Sequence, residues 1–366
     1  MSTTPVRAGL IGAGFIGGVH AHAIRSAGGI LARVADSTPE QAAQAAQRLG
    51  AVAVSESALA LVASDDVDVV HICTPNATHV ELAQLAIDHG KAVVCEKPLA
   101  TSVGDAERLV SAARQAGIVN AVPFVYRYYP TVREARSRIS QGEAGRLWLL
   151  HGSYLQDWLA GQGETNWRLD PNRGGGSRAF GDIGVHWCDL MEFVTGHRIT
   201  RLMARLSNAH AERVTADGLR VAGTEDGATV VFETDQGATG SVVASQVSLG
   251  RKNKLWFSFD GTESSYVFDQ EQPDSLWVGG TSENRVVPRG PQTLGSDEAR
   301  RLSFLPAGHP QGYQDCFNAF VADTYAAVAG RAPQGLPTFA DGHRAALITA
   351  AVLDSAKTDS WIEVPA

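Results

Sequence analysis

Three side chains in this sequence combine types and spacings that can move a proton to or from a hydroxyl group: Lys97, Asp182 and His186. Lys97 lies in Glu96-Lys97-Pro98, directly behind the apolar run 92–95. A lysine at the end of a buried strand can donate a hydrogen bond to an oxygen whose proton is leaving, and the proline stiffens the backbone that carries it. Asp182 and His186 follow Gly174-Gly175-Gly176 and are four residues apart, so a helix projects both from one face. A histidine near neutral pKa is a natural base, and a nearby carboxylate can orient its imidazolium form or bind a substrate hydroxyl directly. Each residue also has a plain structural reading. Lys97 alone is equally a surface lysine with Pro98 opening a helix, Asp182 a helix cap, and His186 a core histidine bonded to a carbonyl.

A proton base of this kind becomes informative beside a cofactor motif. The apolar run Val6 to Ile11 leads at once into Gly12-Ala13-Gly14-Phe15-Ile16-Gly17 and then a helix-like stretch. Gly12 permits a tight turn, Gly14 lets backbone approach a pyrophosphate, and Gly17 lets the helix pack close to the strand. The helix N-terminus then offers free N–H groups to the anion. A second apolar run, 30–35, ends in Asp36, about 20 residues beyond the glycines, where a carboxylate can bind the adenosine ribose hydroxyls. It would repel a 2′-phosphate, which favours NAD over NADP. Asp36 can also serve as a turn or cap residue ahead of Pro39, and the two roles are compatible.

A second group of residues suits a hydroxyl-rich ring. Gln156-Asp157-Trp158 and Asn166-Trp167-Arg168 mix aromatic faces with amide, carboxylate and guanidinium groups. Tyr126, in a cluster running to Tyr129, could act as an acid, although a free phenol near pKa about 10 needs a reason to be preferred over His186. Arg127 and Arg178 could meet an anionic substituent or bind carboxylates within the protein. Asp182, His186 and Asp189 lie along one helix but have no converging fourth ligand, and no metal site is expected.

The elements that must hold these residues follow from the hydrophobic pattern. Runs apolar nearly throughout, at 6–11, 30–35, 67–73, 92–95 and 119–125, alternate with helical stretches, the pattern of a parallel sheet covered on both faces. Thr74-Pro75-Asn76, before a helix from His79, and Glu96-Lys97-Pro98 then leave the same edge of that sheet, where open α/β sheets bind ligands. Beyond it the pattern changes to hairpins, with turns at Asp235-Gln236-Gly237 and Asp260-Gly261, which require an antiparallel or mixed sheet. The chain therefore reads as a dinucleotide-binding domain over 1–123 and a second domain over 124–366 whose last helix could return to pack on the first. At 366 residues, 44% hydrophobic and 19% charged, it is a globular chain long enough for two cores. Its formal charge of -8 has no basic block, which argues against a nucleic-acid partner; the cluster at Arg251, Lys252 and Lys254 reads as a solvated hairpin end. No apolar segment is long enough to span a membrane and the start lacks a signal-peptide pattern, so a cytoplasmic protein is expected. The four cysteines form no C-x-x-C pair and indicate neither disulfides nor zinc.

Taken together, Gly12-Ala13-Gly14-Phe15-Ile16-Gly17, Thr74-Pro75-Asn76 with His79, Glu96-Lys97-Pro98 and Gly181-Asp182-Ile183-Gly184-Val185-His186 resemble the glucose–fructose oxidoreductase / inositol dehydrogenase / MocA family over essentially the whole chain. The resemblance implies an α/β Rossmann domain joined to an α+β domain with an open-faced, mainly antiparallel sheet, and a homodimer or homotetramer formed through that sheet. It implies an NAD-dependent dehydrogenase acting on a sugar, anhydrosugar or inositol, with Lys97 the active-site lysine, Asp182 its partner and His186 the acid/base. Cofactor contacts would come from Gly12, Gly14, Phe15, Ile16, Gly17, Asp36, Thr74, Pro75, Asn76, His79, Glu96 and Lys97. Two other readings keep the same motifs: a redox-assisted glycosidase that returns the hydride, and a non-catalytic NAD-binding regulator.

Overall fold

The computed structural model describes residues 4–215 and 218–366, apart from the side chains of 215 and 219–221. The chain separates into two compact units, Met1–Val125 with Tyr313–Ala346, and Tyr126–Gly312 with Leu347–Ala366.

In the first unit, β1 (Arg7–Ile11), β2 (Ile30–Ala35), β3 (Ala53–Val54), β4 (Val69–Ile72), β5 (Ala92–Cys95) and β6 (Asn120–Ala121) form one sheet in the order β3-β2-β1-β4-β5-β6. Every pairing is parallel. β4 and β5 are buried at every residue, as strands covered on both faces must be. The covering helices are α1 (Phe15–Ser26), α2 (Pro39–Leu49), α3 (Ala58–Val62), α4 (His79–Asp88) and α5 (Val103–Ala116). Local chemistry fixes their ends: Thr38 caps α2 with Pro39 behind it, Ser102 caps α5, and Gly50 and Gly117 close those helices in the left-handed conformation. The α2 cap is thus Thr38, and Asp36 is left for another task. β1 has β2 on one side and β4 on the other, so the chain direction across the sheet reverses at its carboxyl end.

In the second unit, α6 (Pro130–Ser140), β7 (Leu147–Leu155), α7 (Pro171–Gly174), a π-helical turn (Phe180–Gly184) and α8 (Val185–Thr195) precede β8 (Ile199–Ser207) and the separate hairpin β9 (Glu212–Thr215) and β10 (Gly218–Val221). There follow β11 (Gly227–Thr234), β12 (Thr239–Ser245), β13 (Lys254–Gly261), β14 (Ser265–Asp269), β15 (Ser275–Gly279), β16 (Asn284–Pro288) and α9 (Asp297–Leu302). With β17 (Ile362–Glu363) they build a nine-stranded sheet ordered β16-β15-β14-β13-β7-β12-β11-β8-β17. All its pairings are antiparallel except β7 with β12, which is parallel. β11 and β12 alternate buried and exposed residues, the signature of a sheet with one covered face. Trp187 of α8 fills the covered face, 5.9 Å from Phe232 and 6.1 Å from Phe259 between ring centroids, and its indole N–H donates to the Trp256 carbonyl.

The cut at 123 assigns every later residue to the second domain, whereas α10 (Tyr313–Val328) and the start of α11 (Phe339–Thr358) cluster with the first unit. α10 lies on α1, with Phe317 5.1 Å from the His20 ring and the Gln314 side chain donating to the Val19 carbonyl. Among the described residues no helix is long and apolar enough to cross a membrane, and no group of three or more His, Cys, Asp or Glu side chains is placed to hold a metal ion.

Candidate active site

The carboxyl edge of the first unit's sheet carries the glycine turn and the loops after β4 and β5. Gly12 has φ +87°, and a Cβ there would stand 2.8 Å from the Cys73 carbonyl oxygen; one on Gly17 would stand 2.3 Å from that of Gly12. Both contacts are too close for any side chain, so the turn is possible only with glycine. Gly14 sits at the N-cap of α1 with no side chain bonded to the helix end, and a Cβ there would meet nothing within 4 Å. Phe15 stands exposed beside it and Ile16 is half-buried. Asp36 reaches back to this turn: one carboxylate oxygen accepts the Ala13 N–H at 2.9 Å and the other the Ser37 N–H at 2.7 Å. Asn76–Thr78 form one 3-10 turn after Pro75, closed by the Thr78 hydroxyl on that of Thr74. His79 staples the two loops, with its ring nitrogens 2.7 Å from the Pro98 carbonyl and 2.9 Å from that of Thr74. Glu96 turns inward, one oxygen on His20 and the other accepting the Lys97 N–H.

In the second unit, the turn that carries Asp182 is anchored by a carboxylate. Glu225 accepts from the Ser177 hydroxyl and from the backbone N–H groups of Arg178 and Phe180, placing negative charge at a helix N-terminus whose donors have no intrahelical partner. Asp182 accepts from Arg168 Nε at 3.2 Å and from Gln246 Nε2 at 2.7 Å. The Gln246 amide can point only one way. Its oxygen accepts from Arg178, which has nothing but donors, so its NH2 must face Asp182. Arg178 is itself fixed on Asp226, which Arg213 also binds, all three side chains being buried.

A row of polar groups extends beside His186. The Tyr126 hydroxyl bonds that of Tyr154, Tyr154 donates to Asn253 Oδ1 at 2.7 Å, Gln156 donates to the same oxygen at 2.7 Å, and Trp158 Nε1 donates to Gln156 Oε1 at 2.7 Å. The His186 ring stands edge-on to Tyr126, 5.0 Å between centroids. Arg168 lies over Trp167 at 4.3 Å and faces Trp158 at 5.9 Å. Hydroxyl and amide edges thus lie in one row with indole planes at its end, the composition that binds polyhydroxylated rings.

Residues 6–124 match an oxidoreductase family with an NAD-binding Rossmann fold, and residues 132–267 match the C-terminal domain of the same GFO/IDH/MocA family. Levoglucosan dehydrogenase of Pseudarthrobacter phenanthrenivorans is 33% identical over 98% of this chain and 97% of its own. The chain belongs to the GFO/IDH/MocA oxidoreductase family. A second relative, scyllo-inositol 2-dehydrogenase (NAD(+)) of Bacillus subtilis, is 28% identical over 66% of this chain and 68% of its own. A crystal structure of levoglucosan dehydrogenase in complex with NADH and levoglucosan superimposes with a TM-score of 0.92 at 32% identity, covering 99% of this chain and all of the other.

The turn fits the family's cofactor. Gly14 leaves open space in front of the uncapped N-terminus of a 12-residue helix, and Gly12 and Gly17 keep the backbone close enough to present its N–H groups. This member of the family is therefore an NAD-dependent oxidoreductase. Several residues expected at its ligands are placed otherwise. His79 and Glu96 are buried with both ring nitrogens and both oxygens engaged inside the first unit, where they hold the loops in shape. Arg178 is buried on Asp226, and Arg127 is buried in a two-bonded pair with Asp189, the second of the two roles the sequence left open for them. The Asp157 carboxylate is taken by Lys252 and the Gly250 N–H, which hold it below the usual carboxylate range. The basic cluster around it is likewise neutralised, Lys254 and Arg251 pairing with Asp269 and Glu271. Asn253, Gln246, Glu225 and His20 escaped the sequence reading. Asn253 lay within that basic cluster, and the other three gave no signal because their partners are 45 or more residues away.

Proposed function

We propose that this oxidoreductase oxidises a secondary hydroxyl of a pyranose-like sugar, anhydrosugar or inositol to the ketone. The observation that carries the reading is the row Tyr126, Tyr154, Asn253, Gln156 and Trp158 beside His186, whose hydroxyls and amides match a ring bearing several hydroxyls. The similarity to levoglucosan dehydrogenase over nearly the whole of both chains supports the same substrate class. When bound, NAD supplies the acceptor for the hydride that leaves the carbinol carbon. His186 takes the hydroxyl proton, and Lys97 donates a hydrogen bond to the oxygen that loses it. Asp182, kept as an acceptor by Arg168 and Gln246, binds a neighbouring hydroxyl. Gly12, Gly14 and Gly17 with the backbone of Phe15 and Ile16 cradle the pyrophosphate. Asp36 binds the ribose, with Thr74, Pro75 and Asn76 bordering the cofactor. The open face of the nine-stranded sheet pairs with a second copy.

The test is a panel of pyranoses, inositols, anhydrosugars and glycosides incubated with purified protein and NAD, read for NADH absorbance and for released aglycone. NADH formed in proportion to one substrate supports the dehydrogenase. Aglycone release without net NADH would replace it with a glycosidase that returns the hydride, and no turnover on any member would leave an NAD-binding regulator.

A further inference from the structure

A chain of buried polar groups runs through the first unit. The Tyr325 hydroxyl on α10 lies 3.0 Å from His71 Nε2 on β4, His71 Nδ1 lies 3.0 Å from His20 Nδ1 on α1, and His20 Nε2 lies 3.1 Å from Glu96 Oε1 behind β5. The other Glu96 oxygen accepts the Lys97 N–H at 3.1 Å. Both histidines are 0% exposed, Glu96 6% and Tyr325 5%. Nothing in the apolar pattern of β4 calls for a histidine at 71, and such a group is costly inside a sheet unless every edge is bonded.

The contacts admit few proton arrangements. Two ring nitrogens that meet share one proton, so one of the Nδ1 atoms donates and the other accepts. Burial pushes His71 well below its ordinary pKa, so its ring carries one proton. Burial pushes the Glu96 carboxyl up, but the hydrogen bond from His20 and the charge of Lys97 outweigh it, and the group is a carboxylate. A carboxylate only accepts, so His20 Nε2 carries a proton. The buried Tyr325 hydroxyl has no acceptor among the described residues but His71 Nε2, so it donates there, His71 carries its proton on Nδ1 and donates it to His20 Nδ1, and His20 is left with Nε2–H alone. Burial, with Asp68, raises the Tyr325 phenol and keeps it protonated.

We propose that Tyr325, His71 and His20 are positioning residues: a one-way chain of donors, each pointing toward Glu96, that holds this carboxylate on the Lys97 N–H and so fixes the backbone from which the lysine projects. The catalytic consequence rests on the role given to Lys97 above; the proton arrangement does not.

The experiment is 15N imidazole NMR of the full chain, which reads tautomers directly, in the native protein and in Glu96→Gln. Expected are His20 with Nε2–H and a bare Nδ1, and His71 with Nδ1–H and a bare Nε2. In Glu96→Gln the amide must keep its oxygen on the Lys97 N–H and turn its NH2 toward His20, so both histidines should exchange tautomers. A cationic His20, His71 protonated on Nε2 in the native protein, or tautomers unmoved by Glu96→Gln would overturn the chain. Tyr325→Phe removes only its outermost donor, and kcat should fall by roughly threefold to tenfold, the scale of one hydrogen bond, with NAD affinity within about twofold. An unchanged kcat would overturn the positioning role. Full turnover in Lys97→Ala would instead overturn the catalytic reading of Lys97 while leaving the tautomers as stated.

Discussion

Asp182 shows how much of a candidate site residue lies outside its own position. Its two oxygens are held by Arg168 and Gln246, and Gln246 is turned the right way only because Arg178, on Asp226, is behind it. Gln246→Leu removes a fully buried amide that serves both neighbours. We expect turnover to fall about tenfold or more and stability by about 1–3 kcal/mol, read by steady-state kinetics and urea unfolding, since two polar partners each lose a hydrogen bond. His186→Asn should cost about a hundredfold or more in turnover, the scale of a positioned base, with NAD affinity nearly unchanged by titration. Unaltered turnover would end its assignment. Lys97, Asp182 and His186 could be proposed from the sequence because their types and local spacing suit the chemistry. The partners of Arg178 and Glu96 were not legible for one reason: a charge beside a ligand loop looks available in sequence, and its buried partner, 48 residues on for Arg178 and 76 back for Glu96, cannot be seen there.

Between residue and fold stands the element, and here the carboxylates Glu225 and Asp226 ahead of β11 do most to set the site. Glu225 caps the π-helical turn, while Asp226 binds Arg178 and Arg213. Burial pushes the Asp226 carboxyl up, but the two guanidinium groups outweigh it and hold it below its ordinary range. A depressed folded pKa means stability that is present above the unfolded value of about 3.9 and is lost as pH falls through the folded one. Asp226→Asn should therefore destabilise the protein by about 3 kcal/mol or more at neutral pH, because two buried cations lose their partner. The gap should close below the carboxylate range, and urea unfolding across pH measures it. Most strands were legible because apolar runs and turn residues are local. The final strand of the first sheet was not: 119–125 reads as a full strand, but only Asn120–Ala121 pairs. The hairpin turn placed at Asp260-Gly261 also moved, since pairing with β7 carries β13 through Gly261. Nor could local spacing reveal that β7 and β12 pair in parallel, because they are joined only through most of the second unit.

For the whole molecule, the uncovered face of the large sheet carries the strongest expectation. Val231 and Val243 are 41% exposed, and Trp277 and Val286 lie opposite one another on β15 and β16. An apolar surface of this kind in water favours a second copy. Val231→Glu combined with Trp277→Glu should lower the mass measured by light scattering while NAD affinity stays within about twofold; an unchanged mass would remove this face from the assembly. Family and architecture were legible because the motifs are spread over the whole sequence, whereas the place of α10 in the first unit was not read, only a return of the last helix, since α10 has no local mark of its partner.

That return has a consequence for how the protein is made. Roughly 190 residues separate Val125 from Tyr313, about ten to forty seconds of translation at about 5–20 residues per second. Throughout that interval the emerging N-terminal segment has its sheet but not α10, so Phe317 is missing from His20, Gln314 from Val19 and Tyr325 from His71. The flank of α1 is then an apolar cleft with an unanswered histidine at its base, a surface for holdase chaperones on the ribosome and for aggregation if release comes early. A fragment ending at 125 should be insoluble for the same reason, and the first unit to begin folding cannot close its core until residues 313–346 have emerged.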